Sequence, residues 1–214
     1  RSLIEEANRQ MRILAVLFTV PYAGIIVFGR AFISLWLGNT AYSADEKLQI
    51  YILVILVLVD IITSTYMYSI HSVFIALDKV KKYSVVLFVS SCMSILMTVF
   101  LLKTTKLGVY AIAGTSTIVL GITHGLIVPA IAAKLINERF FIFWKTEGKS
   151  WLLLGVLSGV FFLIKTPFTI VSWSTFLLPV LICGCVGYVL SLLIILQKAE
   201  KDILLTVIKR KYSK

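Results

Sequence analysis

The chain has 214 residues, 59% of them hydrophobic and 14% charged, with a formal net charge of +11 and a mean hydropathy of +0.99. Soluble domains run at about 45–50% apolar and about 25% charged, so this composition excludes an ordinary water-soluble domain. The basic residues stand at the ends of apolar runs rather than on a polar face, which excludes nucleic-acid binding and marks a membrane-surface pattern instead. Cys92, Cys183 and Cys185 all lie inside apolar runs and make neither a disulfide framework nor a metal spacing, so no metal or cofactor is expected.

Six spans are predicted in chain order: 13–28, 48–73, 83–102, 108–133, 151–164 and 171–196. A spanning helix needs about 20 apolar residues. The third run, Tyr83 to Leu102, is the cleanest, without a charge and bracketed by Lys82 and Lys103. The fifth is short and needs its flanks to cross. Period-2 alternation is absent and the runs are too long for barrel strands, so the expected fold is an all-α, polytopic membrane protein. Residues 1–196 form the transmembrane region. The tail 197–214 carries Ile203, Leu204, Val207 and Ile208 among basic residues, which suits either an amphipathic segment on anionic membrane lipid or a solvated anchor. The chain starts at Arg1 and its first apolar run lacks a small-residue cleavage site, so it reads as a fragment without a signal peptide.

With the N-terminus placed in the cytoplasm, sixteen basic residues fall inside and five outside: Arg30, Lys47, Lys103, Lys106 and Lys165. The excess has the expected sign at every loop. Phe140, Phe141, Phe143 and Trp144 read as interfacial aromatics before the fifth span.

Asp60 is the only acid well inside a predicted span, where an ionised carboxylate costs several kcal/mol (about 2.5–3.5 on insertion scales) unless paired or hydrated. Thr63, Ser64, Met67 and His71 continue its helical face, since eleven residues at 100° return His71 to within about 20° of Asp60. Such a stripe either lines a watery cavity or bonds a neighbouring helix. His71 also fits a plain interfacial position. Arg30 either snorkels to the headgroups or reaches inward to an anionic substrate. His124 is expected in a packing hydrogen bond. Gly121 and Gly125, with Ala111 and Gly114, and the pair Gly155/Gly159, predict small faces for close helix packing. Pro21, and with it Pro129 and Pro179, predicts a helix break or kink. Ser/His/Asp, metal-ligand and phosphate-loop patterns are not visible, so an enzyme is not expected.

Three stretches carry a resemblance. They are Ile13 through Val20-Pro21-Tyr22-Ala23-Gly24, with Phe32-Ile33-Ser34-Leu35-Trp36-Leu37-Gly38 and Ala41-Tyr42-Ser43-Ala44; then Val73 to Lys82; then Leu107 to Thr115. Together they resemble blocks of the bacterial polysaccharide flippases, within the multidrug/oligosaccharidyl-lipid/polysaccharide exporter superfamily. Two positions depart from the pattern: Asp78 stands where that family usually has Gly, and His71 where an Asn is common. The resemblance implies the last six spans of a 14-span, two-lobe transporter in a bacterial cytoplasmic membrane, with both ends of this chain cytoplasmic. It further implies alternating access, lipid-linked oligosaccharide as substrate, and an N-terminal lobe of the same protein as partner. Cation-coupled multidrug efflux and a membrane enzyme acting on polyprenyl-linked sugars are the alternatives.

Overall fold

The computed structural model describes residues 2–38 and 42–196, and the predicted amphipathic tail lies outside them. Every element among the described residues is helical. Six stretches are long and apolar enough to cross a membrane: Leu3–Leu37, Ala44–Ala76, Val80–Thr104, Val109–Leu135, Phe140–Lys165 and Trp173–Ile195. The first is a single helix, α1 (Ser2–Leu37). The second joins α2 (Ala44–Met67), a 3₁₀ turn at Tyr68–Ile70 and α3 (His71–Ala76). The third is α4 (Val80–Thr104). The fourth joins α5 (Val109–Ile122), a π-helical segment at Thr123–Ile127 and α6 (Val128–Leu135). The fifth joins a 3₁₀ turn at Phe140–Ile142 to α7 (Trp144–Lys165), and the last is α8 (Trp173–Ile195).

Two predicted boundaries are corrected. The first span, predicted to end at residue 28, continues as one helix to Leu37. The short fifth span is a 22-residue helix, about 33 Å long at 1.5 Å per residue, enough to cross. Its polar first two turns hid it from hydropathy, because Glu147 and Ser150 are buried there rather than solvated. Phe143, expected at the interface, is also fully buried, while Phe141 remains exposed.

The termini of these helices follow from local chemistry. Ser43 caps α2 in a reciprocal box with Glu46, and Ser172 does the same for α8 with Thr175. Both α3 and α6 end in a left-handed residue, Asp78 at φ 52° and Asn137 at φ 54°. In each, the following N–H reaches five residues back, Lys79 to the Phe74 carbonyl at 2.8 Å and Glu138 to Ala133 at 2.9 Å. This is the Schellman closure that glycine normally supplies, and Asp and Asn are the non-glycine residues that enter the left-handed region most readily.

At the centre, α1 packs against α7, α8 and α2; α2 packs against α5, α5 against α4, and α7 against α8. Ala7, Met11, Ala15, Thr19 and Ala23 are all fully buried, and at four-residue spacing they form one stripe along α1 that lets neighbouring backbones approach. The predicted glycine faces do not serve this purpose. A Cβ built on Gly114, Gly121, Gly155 or Gly159 meets nothing within 4 Å, and only Gly125 touches a neighbour, the Thr63 methyl at 3.4 Å. The close approach is instead at Gly187 of α8, whose Cβ would meet Phe161 Cζ at 2.7 Å and Val20 Cγ1 at 3.0 Å.

Helix α4 turns the pattern of a soluble helix inside out. Its buried residues are Ser90 and Ser94, while Phe88, Met93, Leu96 and Phe100 are each more than 60% exposed. Lipid covers the apolar side at no cost, and hydroxyls supply the adhesion between helices. Thr123 donates to Ser90 at 2.7 Å and Thr98 bonds Thr115 at 2.5 Å, joining α4 to the fourth span. Thr117 donates to the Leu56 carbonyl at 2.7 Å, joining that span to α2.

Candidate functional site

An apolar cleft of about 520 Å³ runs along one side of α1. Pro21, Gly24, Phe28 and Phe32 form its floor, Ile50 and Val54 of α2 one wall, and Phe176, Val180, Gly184 and Tyr188 of α8 the other. The lining residues of α1 recur every three to four positions, so a single face of the helix is left open between α2 and α8.

Pro21 is not a helix break. Helix α1 runs unbroken through it. Proline lacks an N–H, so the carbonyl four residues earlier, that of Leu17, loses its helical partner. The Tyr188 hydroxyl of α8 donates to that carbonyl at 3.3 Å. Two further donors fix α1 from its other sides, Tyr51 to the Ile26 carbonyl at 2.5 Å and Lys165 to the Val27 carbonyl at 2.7 Å.

Arg30 is exposed and does not line the cleft. It lies nine residues after Pro21, or 900°, which puts it on the opposite face of α1. The Lys165 ammonium of α7 sits 5.6 Å above the Phe28 ring. Among the described residues neither makes an ion pair with a carboxylate.

The stripe predicted from Asp60 to His71 separates into three environments. Thr63 and Met67 are buried, Thr63 donating to the Val59 carbonyl at 2.9 Å and packing its methyl near Gly125. His71 lies beyond the 3₁₀ turn, where the 100° arithmetic of an unbroken α-helix no longer holds, and its ring lies against Tyr83, the centroids 4.6 Å apart and the planes tilted by 33°. Asp60 and Ser64 stay together and meet a residue the sequence had assigned to packing, His124. Ser64 Oγ donates to Asp60 Oδ1 at 3.3 Å and lies 2.7 Å from His124 Nδ1. Nδ1 is itself 3.8 Å from Asp60 Oδ1, with the two side chains 16% and 20% exposed. Neither Asp60 nor His124 lines the apolar cleft; they face each other across the α2–fourth span contact.

A serine, a histidine and an aspartate therefore do converge, contrary to the sequence reading. Their order is not that of a hydrolase. In a catalytic triad the serine and the carboxylate occupy opposite ring nitrogens, so that the ring can pass a proton between them. Here both approach Nδ1. The constellation was hidden because Ser64 and His124 are 60 residues apart and because His124 sits on the π-helical segment. Such segments insert one extra residue into a turn and are frequent at functional positions. The approach of Pro129 was the one visible signal for it.

A buried acid was also missed. Glu147 is 3% exposed; its Oε1 accepts from Trp151 Nε1 at 3.2 Å, while Oε2 has no partner. Beside it Thr146 donates to Asn8 of α1 at 2.8 Å. Among the described residues no group of three His, Cys, Asp or Glu side chains could hold a metal ion.

No family model matches the chain, and neither a curated protein nor a solved structure matches it. Its class rests on the fold: the described residues are all-α, with six helices long and apolar enough to cross a membrane, that is, a multi-pass membrane protein with a lateral apolar cleft and a polar cluster between two spans.

Proposed function

We propose that the chain is one lobe of a flippase that carries lipid-linked oligosaccharide across a bacterial cytoplasmic membrane by alternating access. The observation that carries this reading is the cleft, an open groove on the central helix with walls from two other spans. Its apolar lining suits the polyprenyl part of a carrier lipid, and the sugar and diphosphate then fall to a second lobe facing it. The sequence blocks around Pro21, Trp36 and Asp78 support the same reading by resemblance. The test is reconstitution of the whole transporter in vesicles with a fluorescent lipid-linked oligosaccharide. Flipping by the two-lobe protein and none by the 214-residue chain is expected. Failure of the whole protein to flip contradicts the substrate, and flipping by the 214-residue chain contradicts the two-lobe arrangement.

In this reading both ends of the chain are cytoplasmic, supported by the distribution of basic residues. With Cys92, Cys183 and Cys185 replaced by serine, Lys106→Cys is expected to react with an impermeant thiol reagent in intact cells. Lys149→Cys is expected to react only after the cells are opened. Both sites are exposed, so the reverse result inverts the topology. Cation-coupled efflux by the same architecture is the second reading, favoured by the acid and histidine paired between two spans.

A further inference from the structure

We propose that Asp60, Ser64 and His124 form one proton-binding site, in which the proton is carried on Nε2 of His124 and its charge is held by Asp60. The argument begins with proton bookkeeping. A serine hydroxyl has one proton to donate. Given to Asp60 Oδ1 at 3.3 Å, it leaves Ser64 Oγ only as an acceptor toward His124 Nδ1 at 2.7 Å. With the serine proton on the Asp60 side, Nδ1 bears the hydrogen of the shorter contact. In the proposed arrangement neutral His124 is the Nδ1–H tautomer, with Nε2 free to take a proton. A proton arriving from the aqueous phase adds to Nε2 and makes an imidazolium, with no other bond formed or broken. The 3.8 Å approach of Asp60 Oδ1 to the ring is too long for a good hydrogen bond and well placed for charge balance.

Among the described residues no other charged group makes a contact with Asp60 or His124. On the packed elements Tyr22 bonds Thr65 at 2.8 Å, Tyr51 bonds the Ile26 carbonyl, and Tyr83 lies against His71. Cys92 and Lys134 are exposed, and Ser90 answers Thr123. An ionisable pair in mid-membrane is costly unless it is used or neutralised, and pairing with a proton exchanges one ion for a balanced couple. The location also suits coupling. His124 stands on the π segment, which packs on α2, while the 3₁₀ turn below Met67 packs on α6. Both spans thus change helix type beside the site. The inference rests on the transport reading only for the use of the proton, because binding is measurable without transport.

The test is nitrogen NMR of the chain in lipid nanodiscs with ¹⁵N-labelled histidine rings, His71→Gln serving to assign the two signals. The wild type is expected to show His124 as the Nδ1–H form when neutral. Ser64→Ala is expected to return it to the Nε2–H form that free imidazole prefers. Asp60→Asn keeps an acceptor for Ser64 and removes the charge; it is expected to weaken proton binding at His124 about tenfold or more. A wild-type Nε2–H tautomer overturns the proposal, as does unchanged proton affinity in Asp60→Asn. Either result leaves the flippase reading standing, whereas inactive whole transporter in vesicles leaves this proposal standing.

Discussion

Gly187→Leu is expected to cost the folded bundle about 1–3 kcal/mol, the range for overpacking a filled interior. A leucine gains roughly 1 kcal/mol of helix propensity over glycine, so the observed loss is net of that gain. The new Cβ lands 2.7 Å from Phe161 Cζ and 3.0 Å from Val20 Cγ1. Those two residues belong to α7 and α1, and Phe161 is 1% exposed, so its ring has little room to swing away. The contact is where three spans meet, and every neighbour must shift for one methylene group. Unfolding in mixed micelles measures the loss. Phe161→Ala in the same chain opens the space and should recover part of it, a coupling that independent sites do not show. Gly155→Leu and Gly159→Leu, which meet open space, are expected to be as stable as the parent or more so.

Asp60 gives the second large effect, and it separates folding from function. Asp60→Leu removes an acid whose place in mid-span is costly, and leaves Ser64 and His124 to bond each other at 2.7 Å. Replacing both members of a buried pair by apolar groups is often neutral, but removing one leaves the other without its partner. Asp60→Leu is therefore expected to lower the amount of folded protein, while Asp60→Asn, which keeps an acceptor for Ser64, is expected to leave it unchanged. Transport is expected to fall about 5–150-fold, the factor set by a coupling free energy of 1–3 kcal/mol. Asp60→Asn should show the same loss, because it too cannot balance an imidazolium. Normal transport by both variants, measured in the vesicle assay with equal protein incorporated, contradicts a coupling role for Asp60.

What the sequence disclosed and what it hid divide along physical lines. Hydropathy found all six spans, because a run such as Tyr83 to Leu102 has one interpretation in water or lipid. It misjudged α7, whose first two turns bury Glu147 and Ser150 against other helices; a polar residue facing a protein neighbour looks to hydropathy like one facing water. The face arithmetic placed Asp60 and Ser64 correctly on one side of α2, four residues apart. It failed for His71, because a 3₁₀ turn intervenes, and for His124, because its meeting with Ser64 depends on which spans pair. Glycine spacing predicted packing at Gly155 and Gly159, where none exists. The small-residue stripe that is buried, Ala7 to Ala23, lay partly in the polar start of α1. The cleft was not legible at all, since it is made by the absence of a neighbour beside Pro21, Gly24 and Phe28.

The cleft is therefore the feature on which the functional reading stands, and it can be filled without disturbing the fold. Gly24 and Gly184 both line it, and a Cβ on either meets nothing within 4 Å. Gly24→Phe and Gly184→Phe, introduced into the whole transporter, place a ring in the space proposed for the carrier lipid. The decisive measurement is the flipping rate of lipid-linked oligosaccharide in vesicles at matched protein content. A loss of about tenfold or more in both variants, the factor for each 1.4 kcal/mol of lost binding, with unfolding midpoints at or above that of the parent, is the predicted result. Flipping at the parental rate with the cleft filled would contradict it.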